Sequence, residues 1–159
     1  MSFEQIPTKE KFILYRRASN TEEDINVLIA VEQSVSGQST YSPMLTKEEW
    51  VEELKNNEIF FIEDDQKQIV GNINLHKNNR EGTLDGLVVM PEFQGQGFAR
   101  KALEYALKTV LADCTTINLF VHPNGPARKL YESLGFLVSQ ELENYFGDGE
   151  PRLEMILKR

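Results

Sequence analysis

The chain has 159 residues, with 25 aspartates and glutamates against 17 lysines and arginines and a net charge of -8, which suits one domain able to bury about two-thirds of its unfolded surface without staples. The acidic balance argues against a duplex nucleic-acid binder, which needs a basic face for phosphates, and is compatible with a cationic small molecule or peptide amine as partner. A single cysteine, Cys114, excludes an intrachain disulfide and a multi-cysteine zinc site, so no metal is expected.

The opening "MSFEQIPTKEKFILYRR" has no secretory core, and no apolar run approaches a membrane span; a cytoplasmic protein with no membrane partner is expected. "KFILYRRA", Lys11 to Ala18, reads as a first strand. A helix over "SNTEEDINVLIAVEQSV" follows, capped by Ser19 or Asn20, with Glu22 and Glu23 in its electropositive first turn. After the turn-rich "SGQSTYSPML", Thr46 opens a capping-box pattern, "TKEE", and a short helix through Leu54. "IFFIEDDQKQIVGNINLH" predicts two strands joined at Asp64 to Gln66, and "GTLDGLVVM" another, ended by Pro91. Apolar residues at Phe98, Ala102, Leu103, Ala106, Leu107, Val110 and Leu111 have helical spacing. "TINLFVHP" reads as a strand, and "NGPARKLYESLGF" as a helix stopped by Gly135. "FLVSQEL" and "RLEMILK" are strands around the loop "ENYFGDGEP". One α/β domain is the expected organisation.

Between the strand ending at Pro91 and the next helix stand Gly95 and Gly97. Glycines there let several backbone N–H groups turn outward at a helix start, a candidate phosphate site. A plain loop before a helix accounts for them equally. "GFARK" lacks the Gly-Lys-Ser/Thr of a nucleoside-triphosphatase loop, and Arg100 stands where a dinucleotide fingerprint needs glycine or alanine.

The run Gln94-Gly95-Gln96-Gly97-Phe98-Ala99 does match Gln/Arg-x-x-Gly-x-Gly/Ala directly after a strand, and here the chain resembles the GNAT superfamily of N-acetyltransferases. "VHPNGPARKLYESLGF" is similar to that family's later strand, Asn-led helix, Leu-Tyr-Glu run and Gly-Phe ending. The resemblance covers nearly the whole chain and is strongest from Leu84 to Phe136. It implies the acyl-CoA N-acyltransferase fold: an α/β protein with a mixed, mostly antiparallel central sheet of about seven strands and about four helices, as a single N-acetyltransferase domain over residues 1–159. It also implies acetyl-CoA or a related acyl-CoA as donor, direct transfer to a primary amine of a small molecule or peptide, and an assembly for which a homodimer is one family precedent.

Carried over residue by residue, the resemblance implies that the pyrophosphate lies on the amides of Gly95, Gln96, Gly97, Phe98 and Ala99, with Gln94 shaping the turn and Arg100 and Lys101 adding charge. Leu87 and Val89 would pair with the pantetheine arm as an added strand, Val88 and Val89 would offer oxyanion N–H groups, and Asn124 would bond the cofactor arm, cap its helix, or both. Tyr131 is the leading general acid, although it also lies on an apolar helix stripe. Asp85 is the candidate base, the alternative being a solvated strand-end carboxylate. Thr83 and Phe120 stand where relatives carry a glutamate, which keeps open a second reading, a non-catalytic acyl-CoA-binding module. His122 is a lesser candidate for a proton relay, His76 a weaker one, and Cys114 is expected to be a buried small residue. Acceptor contacts are expected from Tyr41 in one loop and Tyr145, Phe146 and Asp148 in another, which suit a cationic amine or simply pack a hairpin end.

Overall fold

The computed structural model describes residues 3–7 and 12–159. Twelve elements follow in order: β1 (Phe3–Pro7), β2 (Phe12–Arg17), α1 (Glu22–Gln33), α2 (Lys47–Asn56), β3 (Glu58–Glu63), β4 (Ile69–Asn78), β5 (Glu81–Val89), α3 (Phe98–Lys108), β6 (Thr116–Val121), α4 (Ala127–Ser133), β7 (Leu137–Leu142) and β8 (Arg152–Lys158). The strands form one sheet in the order β1-β2-β3-β4-β5-β6-β8-β7. All seven strands and four helices read from the sequence are present, and β1 adds an eighth strand on the edge beside β2. Every pairing is antiparallel except β5 with β6.

Two helix starts differ from expectation. Thr21, not Ser19 or Asn20, caps α1 by accepting from the Asp24 amide, while Ser19 donates from its amide and hydroxyl to the Asp24 carboxylate. Pro126, not Asn124, stands at the N-cap of α4, with no side-chain cap. Thr46 and Glu49 do form the capping box expected for α2. Gly135, at φ 98°, ends α4 as expected.

Two apolar layers sandwich the sheet, because neighbouring strand residues point to opposite faces. Ile62 faces a cluster with Phe98, Ala102, Leu103 and Ala106 of α3 and Tyr131 of α4. Phe61, next in line, faces Trp50 of α2 and Ile25 and Leu28 of α1. Burying this apolar surface drives the assembly of the layers.

The centre of the sheet is where the site forms. β5 pairs with β4 along its length but with β6 only from Glu81 to Leu84, opposite Thr116 to Leu119. From Asp85 onward the two parallel strands part. Asp85 is also the extra residue of a bulge, since Leu84 faces Leu75 and Gly86 faces Asn74, and bulges re-aim side chains and bend strands. Gly71 permits the close fit of β4 on the far half of β5: a Cβ there would lie 2.0 Å from the Val88 carbonyl oxygen.

Candidate active site

Two clefts open where β5 and β6 separate. One, of about 430 Å³, runs between β5, β6, α1, the loop holding Tyr41 and the β7–β8 loop. The other, of about 450 Å³, lies between the glycine loop, α3 and α4. They share Leu87, Val89, Gln94, Pro126, Ala127 and Tyr131. A long ligand threading both therefore passes the Tyr131 side chain at their junction.

The second cleft has the features of an anion and arm site. Gly95 and Gly97 hold φ values of 79° and 90°, left-handed backbone that glycine adopts without strain. A Cβ at either would meet nothing within 4 Å, so dihedral freedom and not crowding requires glycine. Gly97 is the N-cap of α3. The first turn of α3 carries no acid, whereas those of α1 and α2 carry Glu22, Glu23 and Asp24, and Glu48 and Glu49. The electropositive start of α3 is thus left for a ligand's negative charge. Gln94 closes the turn by donating from its side chain to the Val89 carbonyl at 2.8 Å. Gly95, Gly97, Phe98, Ala99 and Arg100 all line this cleft, and Gln96 does not. Arg100 donates to the Ser133 hydroxyl at 2.6 Å, and Lys101 lies 3.8 Å from Glu104. Beyond Leu84, β5 has no ladder partner on its β6 side, so Leu87 to Val89 offer an open edge to an extended arm. These features fit a CoA thioester: phosphates at the glycine loop, the arm along β5, the thioester near Tyr131.

Asn124 stands apart from this group. It is exposed, lines neither cleft, and its backbone amide donates to His122 Nδ1 at 3.0 Å. His122 is buried with both ring nitrogens engaged, since Nε2 meets Glu150 Oε1 at 2.7 Å. That arrangement assigns the ring proton to Nε2 and fixes the histidine structurally. His76 lines neither cleft and contacts Asn56 and Asn57. Cys114 is buried away from both, as expected.

The first cleft carries the titratable groups. Tyr131 is 6% exposed, and burial lifts its phenol well above the ordinary value, so it stays protonated. Its hydroxyl makes no hydrogen bond among the described residues. Asp85 is exposed on the cleft wall, yet the surrounding protein desolvates it enough to raise its carboxyl, opposed by the Asn57 amide and His76. Asn57 Nδ2 donates to Asp85 at 2.8 Å and also meets Asn74 and Glu53. Thr83 donates to Asn118 at 2.7 Å, which in turn donates to Glu154, and Phe120 stacks on Tyr145 with ring centres 4.2 Å apart. Phe146 and Arg152 line the cleft, while Asp148 pairs with the Arg152 guanidinium at 2.8 Å.

Glu32 escaped the sequence reading. It is 4% exposed, lines the first cleft, accepts from the Tyr41 hydroxyl at 2.7 Å and the Met44 amide at 3.3 Å. Burial pushes its carboxyl up to about 7, against the lowering effect of those two donors. The signal was available: Glu32 falls on the same helical stripe as Ile25 and Leu28. Asn72 was missed as well; it is 2% exposed, lines the cleft and has no partner for its side-chain nitrogen among the described residues.

Among the described residues no helix is long and apolar enough to cross a membrane, and no group of three or more potential metal ligands occurs. A model of the acetyltransferase (GNAT) family matches residues 24–136. The spermidine N(1)-acetyltransferase of Vibrio cholerae is 31% identical over 112 residues, which span 62% of this chain and 65% of that protein. The ribosomal-protein-S18-alanine N-acetyltransferase from Escherichia coli superposes with a TM-score of 0.74 at 23% identity, covering 91% of this chain and 93% of that one. The NatC complex bound to Gag peptide and CoA contains a chain with a TM-score of 0.74 at 21% identity, covering 92% of this chain and 98% of that one. These two structures share the fold.

Proposed function

Because the chain belongs to the acetyltransferase (GNAT) family, we propose that it is an N-acetyltransferase that moves an acetyl group from acetyl-CoA to a primary amine by direct attack on the thioester. The observation that carries this reading is the junction of the two clefts at Tyr131, with a glycine-started helix at one end and the carboxylates of Glu32, Glu49 and Asp85 at the other. Residues 1–159 act as one catalytic domain, in the cytoplasm. The acceptor is cationic: Glu32, Glu49 and Asp85 face its cleft, and the chain's net charge of -8 draws cations toward it. A polyamine heads the candidates because the curated relative acts on spermidine, and a peptide amine follows.

The amides from Gly95 to Ala99 hold the pyrophosphate, assisted by Gln94 and Arg100, and the open edge of Leu87 to Val89 aligns the pantetheine arm. Bound there, acetyl-CoA supplies the activated acyl group. The N–H group at Val89, on the open side of β5, receives the developing oxyanion, while the peptide groups of Val88 turn toward β4. Asp85 draws the ammonium group and takes one proton from it; an amine of pKa near ~10 is only about one part in 10³ neutral at pH 7. Tyr131 protonates the departing sulfur. Asn124, outside both clefts, is left to contact the outer part of the cofactor.

The test is thiol release from acetyl-CoA by wild-type protein and Tyr131→Phe, across polyamines, aminoglycosides, amino acids and short peptides. One amine class should be turned over, and the variant should be slower by ~10²-fold or more while acetyl-CoA still raises its melting temperature. Stabilisation by acetyl-CoA without turnover of any amine would favour a binding module instead.

A further inference from the structure

Tyr131 acting alone leaves a chemical difficulty. Tyr131 is 6% exposed and its hydroxyl makes no hydrogen bond among the described residues, so the phenolate formed on giving up its proton would have no protein donor to stabilise it. The acceptor presents a second difficulty. An ammonium group loses one proton to become nucleophilic and another once the N–C bond has formed, and Asp85 accounts for the first alone.

Tyr41 and Glu32 meet both needs. They line the same cleft as Tyr131 and are joined by the 2.7 Å hydrogen bond from phenol to carboxylate. Resting on the reading of Tyr131 as the acid, we propose that Tyr41 and Glu32 form a proton relay that takes the second proton of the acceptor nitrogen and returns it to Tyr131. Tyr41 contacts the acceptor, and Glu32 is a positioning residue that works through it.

The transfers balance. After attack, an N–H bond of the acceptor breaks and its proton passes to the Tyr41 oxygen, while the original Tyr41 proton passes to Glu32 Oε2. The C–S bond breaks with its electron pair left on sulfur, which takes the Tyr131 proton. The proton on Glu32 then travels back through Tyr41 to the Tyr131 oxygen. Amide and thiol result, all three side chains are restored, and the first ammonium proton leaves from Asp85 to solvent.

A relay carboxyl must both take and release protons at neutral pH. Glu32 is placed for that by burial, with Tyr41 and the Met44 amide opposing the rise and Glu49 of α2 adding to it. Across the cleft it faces the wall that holds Tyr131, Asp85 and Arg152. The Met44 amide, which donates to Oε1, orients the carboxylate so that Oε2 meets Tyr41.

The test measures kcat against pH with acetyl-CoA and the fastest amine of the panel above. Wild type and Glu32→Asp should lose activity as pH falls through the titration of the acidic residue, because only the ionised form accepts a proton. Glu32→Gln should be slower by ~10²-fold and lack that limb. Tyr41→Phe should be comparably slow, and the double variant no slower than either, since the two act as one unit. Melting temperatures accompany each variant; if Glu32→Gln does not fold, Tyr41→Phe decides, because it leaves the carboxylate in place. A Glu32→Gln profile with the wild-type limb, or a Tyr41→Phe rate equal to wild type, overturns the relay. Wild-type rate in Tyr131→Phe overturns the acid assignment itself, and the relay with it. No turnover with any amine overturns the enzyme reading and so both.

Discussion

Replacing Gly71 by alanine should strike the fold at the strand pair that carries the site. The new Cβ would lie 2.0 Å from the Val88 carbonyl oxygen, 3.0 Å from its carbon and 3.1 Å from the Val89 Cα. Ordinary C···O contacts are about 3.3–3.6 Å, so β4 and β5 must part locally by more than about 1 Å. Both partners are backbone in the middle of a ladder, and neither can swing away as a long side chain would. We expect a loss of about 3 kcal/mol, the upper part of the range for overpacking, or roughly 6–12 °C in melting temperature for a chain of this size. Thermal unfolding by circular dichroism, together with fluorescence of Trp50, which is 1% exposed, reads both layers. The matched control is Gly86→Ala on β5, whose Cβ would meet only Asn74 Cβ at 3.6 Å and which should stay within about 0.5 kcal/mol of wild type. Equal melting of Gly71→Ala and wild type, or an equal fall in both variants, would refute the steric argument.

Other consequences can be checked on the same instrument. Gly97→Ala places a side chain at φ 90° with no steric contact, so it should cost about 1–2 kcal/mol from backbone strain alone; an unchanged melting temperature would contradict that. Burial pushes the Asp24 carboxyl up, but the Ser19 amide, Arg16 and the Ser19 hydroxyl together hold it below its ordinary 3.8. Its contribution is therefore present above that value and lost as pH falls through the lower folded one. Asp24→Asn should destabilise by about 2–3 kcal/mol at pH 7 and by little in strong acid. Glu32 has the opposite sign: its proton affinity rises from 4.5 to about 7 on folding, so wild-type stability declines between those pH values. The melting temperature of Glu32→Gln relative to wild type should climb across that window, and parallel curves would show that the carboxyl is not perturbed.

The parts legible in the sequence are those with a local pattern. Alternation and helical spacing gave the seven strands β2 to β8 and the four helices, and the capping box at Thr46 appears as written. The glycine pair was legible because two left-handed positions before a helix leave few other residues to use. What was hidden depends on distant partners. "FEQIP" carries no strong strand signal and is recruited by the edge of β2. Ser19 lost the cap because Asp24 engages it instead. Asn124 precedes its helix too early to cap it, since the chain turns at His122 through Gly125 before α4 begins. Glu32 is one acid among 25 Asp and Glu, and only the folding of the Tyr41 loop over α1 turns it into a buried, hydrogen-bonded carboxylate.

The early end of the β5–β6 ladder has a consequence for colloidal behaviour. Sheets are usually vulnerable at their outer rims, where unpaired peptide groups invite another chain to add on. Here the middle of the sheet contains such a rim as well, from Asp85 to Val89. It is walled by Pro126, Ala127 and Tyr131 across the gap, a slot that admits a slender arm more readily than a strand with side chains on both faces. A pantetheine arm that fills the slot would therefore protect as well as react: protein kept with acyl-CoA should form fewer intermolecular β contacts on prolonged storage than the same protein without it.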